Sequence, residues 1–133
     1  MDWGERRIGL AVSDPSGVIA SPLPTLKVNG RDEALAGVAR AAQEQEAERI
    51  VVGVPLLMSG QQGRAAEAAL QFATMLRERT GLTVETYDER LTSAQSRRRL
   101  QDVGVKTGRA KGKVDQGAAV VLLESYLTWR AAR

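Results

Sequence analysis

The run Arg49-Ile50-Val51-Val52-Gly53-Val54-Pro55 constrains the fold more than any other stretch of this 133-residue chain. Apolar residues follow one another without the polar alternation of a half-exposed strand. That reads as a strand buried on both faces, the pattern of a parallel sheet. Pro55 ends it, because proline has no ladder donor to give. A parallel neighbour needs a helical crossover, and the sequence offers helices on both sides. Ahead of the run, Asn29-Gly30-Arg31-Asp32 opens a helix with Leu35, Val38, Ala39 and Ala42 on one face. After it, residues 56–63 read as a loop and residues 64–79 as a long helix. Ala66, Ala69, Leu70, Ala73 and Leu76 form its apolar stripe, and Gly81 is placed to end it in the left-handed conformation. Residues 82–87 then form a second, parallel strand, which runs into Asp88-Glu89-Arg90.

The start of the chain reads as a meander. Asp2 lies on a first strand, Gly4 in a tight turn, and Ile8, Leu10 and Val12 alternate with Gly9, Ala11 and Ser13 on a second strand. Asp14-Pro15-Ser16-Gly17 is a turn by residue type. Residues 18–26 are extended again, but Pro22 and Pro24 confine them to a sheet edge. Near the other end, Thr92 and Gln95 suit a capping box for a helix over residues 93–103. Residues 104–113 hold three glycines and four basic residues with no apolar period, and read as a mobile loop. A last helix starts near Asp115 with Ala118, Ala119, Leu122 and Tyr126 on one face. The expected architecture is a single α/β domain over residues 1–133. It has a mixed five-stranded sheet, three antiparallel strands followed by parallel β-α-β units, with helices on both faces.

The chain contains neither Cys nor His. Disulfides, zinc ribbons, thiol nucleophiles and the Ser-His-Asp scheme are therefore excluded. Enzyme chemistry has to rest on carboxylates, Lys or Arg, hydroxyls, or a metal held by oxygen. No apolar run reaches the ~20 residues of a membrane span, and no leader pattern is visible, so a cytoplasmic location is expected. The net charge of +3 is unevenly spread. Residues 1–66 carry 7 Lys/Arg against 8 Asp/Glu, and residues 67–133 carry 12 against 8. Between Arg90 and Lys113, eight basic residues face Asp102 alone, an excess that suits a polyanion or, more plainly, a solvated helix face and loop.

Three acidic positions fall where such folds place function. Asp2 is on the first strand. Asp88 and Glu89 are at the carboxyl end of a parallel strand, where open α/β sheets bind ligands. Asp115 is at the start of the last helix, just past the basic loop. Brought together, they would offer hard oxygen ligands suited to Mg²⁺ or Mn²⁺. Each also has an ordinary role open to it: Asp115 as a helix N-cap, Asp88 or Glu89 as a partner of Arg90 or a cap, Asp2 as a solvated terminal residue.

The order and spacing of four motifs resemble the YqgF family, also called RuvX. They are Asp2-Trp3-Gly4 with Arg7-Ile8-Gly9-Leu10-Ala11-Val12-Ser13; Ile50-Val51-Val52-Gly53-Val54-Pro55-Leu56 with Ser59-Gly60; Asp88-Glu89-Arg90-Leu91-Thr92-Ser93; and Lys111-Gly112-Lys113-Val114-Asp115 with Ala118-Ala119 and Leu122-Leu123-Glu124-Ser125-Tyr126-Leu127. The resemblance covers nearly the whole chain. It implies an RNase H-like fold and metal-dependent cleavage of structured nucleic acid. The activities associated with the family are Holliday junction resolution and maturation of the 5′ end of pre-16S rRNA. Carried over by position, it implies catalytic metal ligands at Asp2, at Glu89 with Asp88 as its substitute, and at Asp115. The basic residues Arg90, Lys106, Arg109, Lys111 and Lys113 are then expected to contact phosphates beside the metals. The family carries several apolar residues ahead of its first aspartate, whereas Asp2 follows Met1 directly, so either the chain is shortened at its start or its first strand is a stub.

The leading expectation is thus a Mg²⁺- or Mn²⁺-dependent nuclease acting on structured RNA or branched DNA. A homodimer is attractive because symmetrical junction cleavage needs two sites. With only Trp3, Phe72, Tyr87, Tyr126 and Trp129 as aromatics, recognition should rely on shape and backbone charge more than base stacking. Two alternatives come from other classes. The Asp-x-Gly hairpin also resembles the phosphate-binding hairpin of the actin and sugar-kinase superfamily, which would make the chain an ATP-handling module. That superfamily uses two such domains, and no Gly-rich loop with Lys-Ser/Thr is present here. The other alternative is a non-catalytic nucleic-acid-binding protein of ribosome assembly.

Overall fold

The computed structural model describes residues 6–56, 63–92 and 111–132, the last segment with side chains from residue 117 onward. Strand β1 (Arg7–Ser13) pairs antiparallel with β2 (Ala20–Lys27). Helix α1 (Arg31–Glu44) leads to β3 (Arg49–Val54), and helix α2 (Arg64–Thr80) leads to β4 (Thr83–Asp88). β3 and β4 are parallel, with Gly53 opposite Tyr87 and Val54 opposite Asp88. A 3-10 turn, Glu89–Leu91, follows β4, and helix α3 (Lys111–Ala131) is the last element.

The β-branched run behaves as its composition requires. Ile50, Val52 and Val54 face one way, into a core with Val38 of α1, Phe72 and Leu76 of α2, Ile8 and Leu10 of β1, and Val84 of β4. Val51 faces the other way and packs with Tyr87 of β4 and Leu122 and Tyr126 of α3. Helices α1 and α2 therefore cover one face of the strands and α3 the other, as expected. α3 also lies along β1 and β2. Phe72 of α2 is fully buried and outranks Leu70, which is only partly buried. Each large apolar side chain buried here contributes about 1.5–3 kcal/mol.

The ends of the elements follow local chemistry. Gly81 closes α2 at φ 70° with its N–H on the Arg77 carbonyl, 2.9 Å. α1 closes instead on Glu46, at φ 53°, a Schellman ending in which Glu46 N–H bonds Gln43 O and Ala47 N–H bonds Ala42 O. Between Ile8 and Leu10 the β1–β2 register slips by one residue, opposite Pro24 and Thr25. A bulge is the expected response to a proline that cannot donate. In the hairpin turn the Asp14 carboxylate accepts from the N–H groups of Val18 and Ile19, both at 2.8 Å, and from the Ser16 hydroxyl.

One expectation is met in part and another needs correction. A single five-stranded sheet is not what the described residues form: their four strands make two separate pairs, β1–β2 and β3–β4. The expected strand carrying Asp2 lies outside the described residues, as do the expected helix over 93–103 and most of the basic loop. The last helix begins at Lys111, not near Asp115. Its first turn holds Gly112 and no apolar residue but Val114, so the sequence gives no helical period there.

Candidate active site

β4 alternates so that Glu85 and Tyr87 face α3, and Glu89, two residues on, continues that side. The half-buried carboxylate of Glu89 lies over Gly53 of β3. A β-carbon on residue 53 would stand 2.7 Å from Glu89 Oε1, 3.2 Å from Glu89 Cγ and 2.9 Å from Leu122 Cδ2. Only a glycine leaves that space. Glu89 therefore sits at the carboxyl ends of β3 and β4, against the helix that carries Asp115.

Three contacts fix the direction of α3. Tyr126 meets Glu85 and Arg49 near the beginnings of β4 and β3. Ser125 meets Tyr87 at 2.8 Å. Leu122 meets Gly53 at the far end. Going back along α3 means going forward along the strands, so the helix runs antiparallel to them. Asp115 precedes Leu122 by seven residues, about two turns and ~10 Å further along the axis. The first turns of α3, with Lys111, Lys113 and Asp115, thus extend past the strand ends where Glu89 lies. As the fifth residue of the helix, Asp115 is not its N-cap.

The two neighbouring acids at the end of β4 have separate environments, as opposite faces of a strand require. Asp88 is occupied by Arg90. The guanidinium donates from Nη2 to Oδ2 at 2.8 Å and from Nε to both oxygens, and the Arg90 N–H donates to Oδ1 at 2.9 Å. These bonds hold the Asp88 carboxyl below its ordinary range, the Arg90 side chain being the largest cause, and raise Arg90 in turn. The turn bearing Glu89 is closed by Thr92, whose hydroxyl donates to the Glu89 carbonyl at 2.7 Å. It is tied to α3 through Tyr87 and Ser125, since Ser125 also donates to the Leu91 carbonyl at 3.4 Å.

Of the expected site residues, Glu89, Asp88 and Arg90 are described in full, and Lys111, Lys113 and Asp115 are placed on the backbone of α3. Asp2, Lys106 and Arg109 lie outside the described residues. Among the described residues no three acids come together. The pairing of Asp88 with Arg90 was among the roles the sequence left open, and a second feature, the space at Gly53, went unread in it. A glycine inside a buried strand, which often marks a close approach, was the available signal for the second.

Comparison with known proteins places this geometry. Residues 1–129 match the sequence profile of RuvX, described as Holliday junction resolvase. A Chloroflexus aurantiacus protein named "Putative pre-16S rRNA nuclease" is 42% identical over 130 residues, covering 98% of this chain and 85% of its own. A Mycobacterium tuberculosis protein of the same name is 37% identical over 133 residues, covering 99% and 78%. Among solved structures, Thermus thermophilus RuvC superposes with a TM-score of 0.58 at 15% identity, over 98% of this chain and 93% of that one. RuvC of the same organism in complex with a Holliday junction substrate gives 0.57 at 16%. The fold is α/β and resembles RuvC, the RNase H-like class. The chain belongs to the RuvX family of Holliday junction resolvases, a nuclease family.

Proposed function

We propose that the protein is a divalent-metal-dependent nuclease, one domain over residues 1–133, that hydrolyses phosphodiester bonds in structured nucleic acid. The observation that carries this reading is the placement of Glu89 at the carboxyl ends of β3 and β4, beside the helix whose first turns bear Asp115. Glu89 and Asp115, with Asp2, would hold Mg²⁺ or Mn²⁺. The donor set fits: all are hard carboxylate oxygens, and Mg²⁺ sites typically use one or two carboxylates and keep several waters. Asp88, already neutralised by Arg90, is the poorer ligand. A bound ion would supply Lewis acidity, favouring attack of water on phosphorus and stabilising the departing oxygen.

The chain's own residues hold and orient the substrate. Lys111 and Lys113 on the first turn of α3, with Lys106 and Arg109 before it, would neutralise phosphates beside the carboxylates, and the exposed Arg90, bonded to Asp88, would add to them. Such contacts read backbone charge and shape, so binding should weaken steeply with salt. The relatives named for pre-16S rRNA and the family described for Holliday junctions make folded RNA and four-way DNA the substrates to test. Symmetrical junction cleavage would require a homodimer. Both substrate classes fit a cytoplasmic protein, and no described helix is long and apolar enough to cross a membrane.

The test is a Mg²⁺ and Mn²⁺ titration against a four-way junction and a structured RNA, with wild type, Glu89→Gln and Asp115→Asn. Metal-dependent cleavage by wild type, lowered about 100-fold or more in both variants, supports the proposal. Cleavage unaffected by both substitutions overturns the metal site. Binding without cleavage in either metal would indicate a non-catalytic nucleic-acid binder, and ATP turnover an ATP-handling module.

A further inference from the structure

We infer that Gly53 is a positioning residue for the Glu89 carboxylate, which it holds in place by leaving the space the carboxylate fills. The inference rests on the proposed role of Glu89 as a metal ligand. Gly53 lies within the otherwise β-branched strand β3, where a glycine costs conformational entropy and forfeits packing. Its backbone does not account for its presence, since its φ is not among the positive ones. The account lies in what stands over it. A Cβ there would be 2.7 Å from Glu89 Oε1 and 2.9 Å from Leu122 Cδ2, both well inside ordinary contact distance. The three nearest heavy atoms are all side-chain atoms, two of them side-chain ends and none of them backbone. A methyl group at this position therefore displaces the carboxylate and a leucine methyl while the strand pairing of Gly53 with Tyr87 remains.

This predicts an effect on the site that exceeds the effect on the fold. A carboxylate moved by a methyl group no longer lies where the first turns of α3 approach it, and catalytic geometry tolerates displacements of only a fraction of an ångström. Residues that orient a metal ligand typically change metal affinity by about 10- to 100-fold when altered.

The experiment measures Mn²⁺ binding to the free protein by electron paramagnetic resonance, beside thermal melting and junction cleavage, for wild type, Gly53→Ala, Glu89→Gln and the double variant. Gly53→Ala is expected to weaken Mn²⁺ binding at least about tenfold, with the melting temperature lowered by less than about 4 °C. Added to Glu89→Gln it should produce no further weakening, since both act through one carboxylate. Wild-type Mn²⁺ affinity in Gly53→Ala, with binding lost in Glu89→Gln, overturns this inference and leaves the proposed function standing. Wild-type affinity and cleavage in Glu89→Gln would instead overturn the proposed function. Should Gly53→Ala unfold, Gly53→Ala with Leu122→Val relieves the leucine contact alone. Weak Mn²⁺ binding in that folded variant supports the inference, and wild-type binding overturns it.

Discussion

Arg90 clasps Asp88, its neighbour but one, with Nη2 2.8 Å from Oδ2, Nε within 3.1 Å of both carboxylate oxygens, and its own N–H on Oδ1. The arrangement divides the labour between two adjacent acids. Asp88 caps the 3-10 turn and satisfies its charge locally, while Glu89 turns to the face of the sheet covered by α3.

The first prediction follows from that division. Asp88→Asn keeps the cap acceptor and loses only an exposed ion pair, which is worth little. Its cleavage rate should stay within about threefold of wild type, since the cap carries no charge to the substrate. Glu89→Gln, by contrast, should lower the rate about 100-fold or more. Initial rates at saturating Mg²⁺ compare the two; a larger loss in Asp88→Asn would reverse the assignment.

A second prediction concerns the tie between the Glu89 turn and α3. The Tyr87 hydroxyl, the Ser125 hydroxyl and the Leu91 carbonyl form a chain across the two elements. Tyr87→Phe should cost about 1 kcal/mol of stability in urea unfolding and reduce cleavage several-fold beyond what the lost folded fraction explains. An unchanged specific rate per folded molecule would show that the tie only stabilises.

Much of this architecture is legible in the residues. The unbroken apolar run of β3 announces a doubly covered strand, and Gly81 and the two prolines of β2 mark their ends and edge. The start of α3 is not legible, because Lys111-Gly112-Lys113 carries loop-like composition and its helix shows no apolar stripe until Ala118. Phe72 escaped because an aromatic beside an alanine-rich stripe lies on its border, where burial depends on the neighbouring strand. Strand alternation sets Asp88 and Glu89 facing opposite ways, but which of them Arg90 clasps is a matter of side-chain geometry. Nor does the sequence give the space above Gly53, since it belongs to side chains from two other elements.

The third prediction is a pH effect at the β1–β2 turn. Hydrogen bonds from Ser16, Ile19 and Val18 lower the Asp14 carboxyl from 3.8 to about 2, although it is exposed. A depressed carboxyl contributes stability that is complete above its ordinary value and is lost as pH falls through the folded one. The amide resonances of Val18 and Ile19 should titrate with a midpoint near pH 2. A midpoint near 3.8 would show that the turn does not hold the carboxylate.

The fourth prediction uses the left-handed Glu46. A side chain at φ 53° is strained where glycine is not, and residue 46 is exposed with both Schellman hydrogen bonds made by backbone. Glu46→Gly should therefore stabilise the protein by up to about 1 kcal/mol, less what glycine adds to the entropy of the unfolded chain. Chemical denaturation measures it, and a loss of stability would contradict the strain.

The central claim, that Glu89 and Asp115 together hold a divalent ion at the strand ends, is tested most directly by a crystal structure of the protein soaked in Mn²⁺, using the anomalous signal of manganese. The account predicts an anomalous peak about 2.1 Å from oxygens of both Glu89 and Asp115, with Asp88 still clasped by Arg90. A peak on Asp88, or none near Glu89 in crystals whose protein cleaves its substrate, would contradict it.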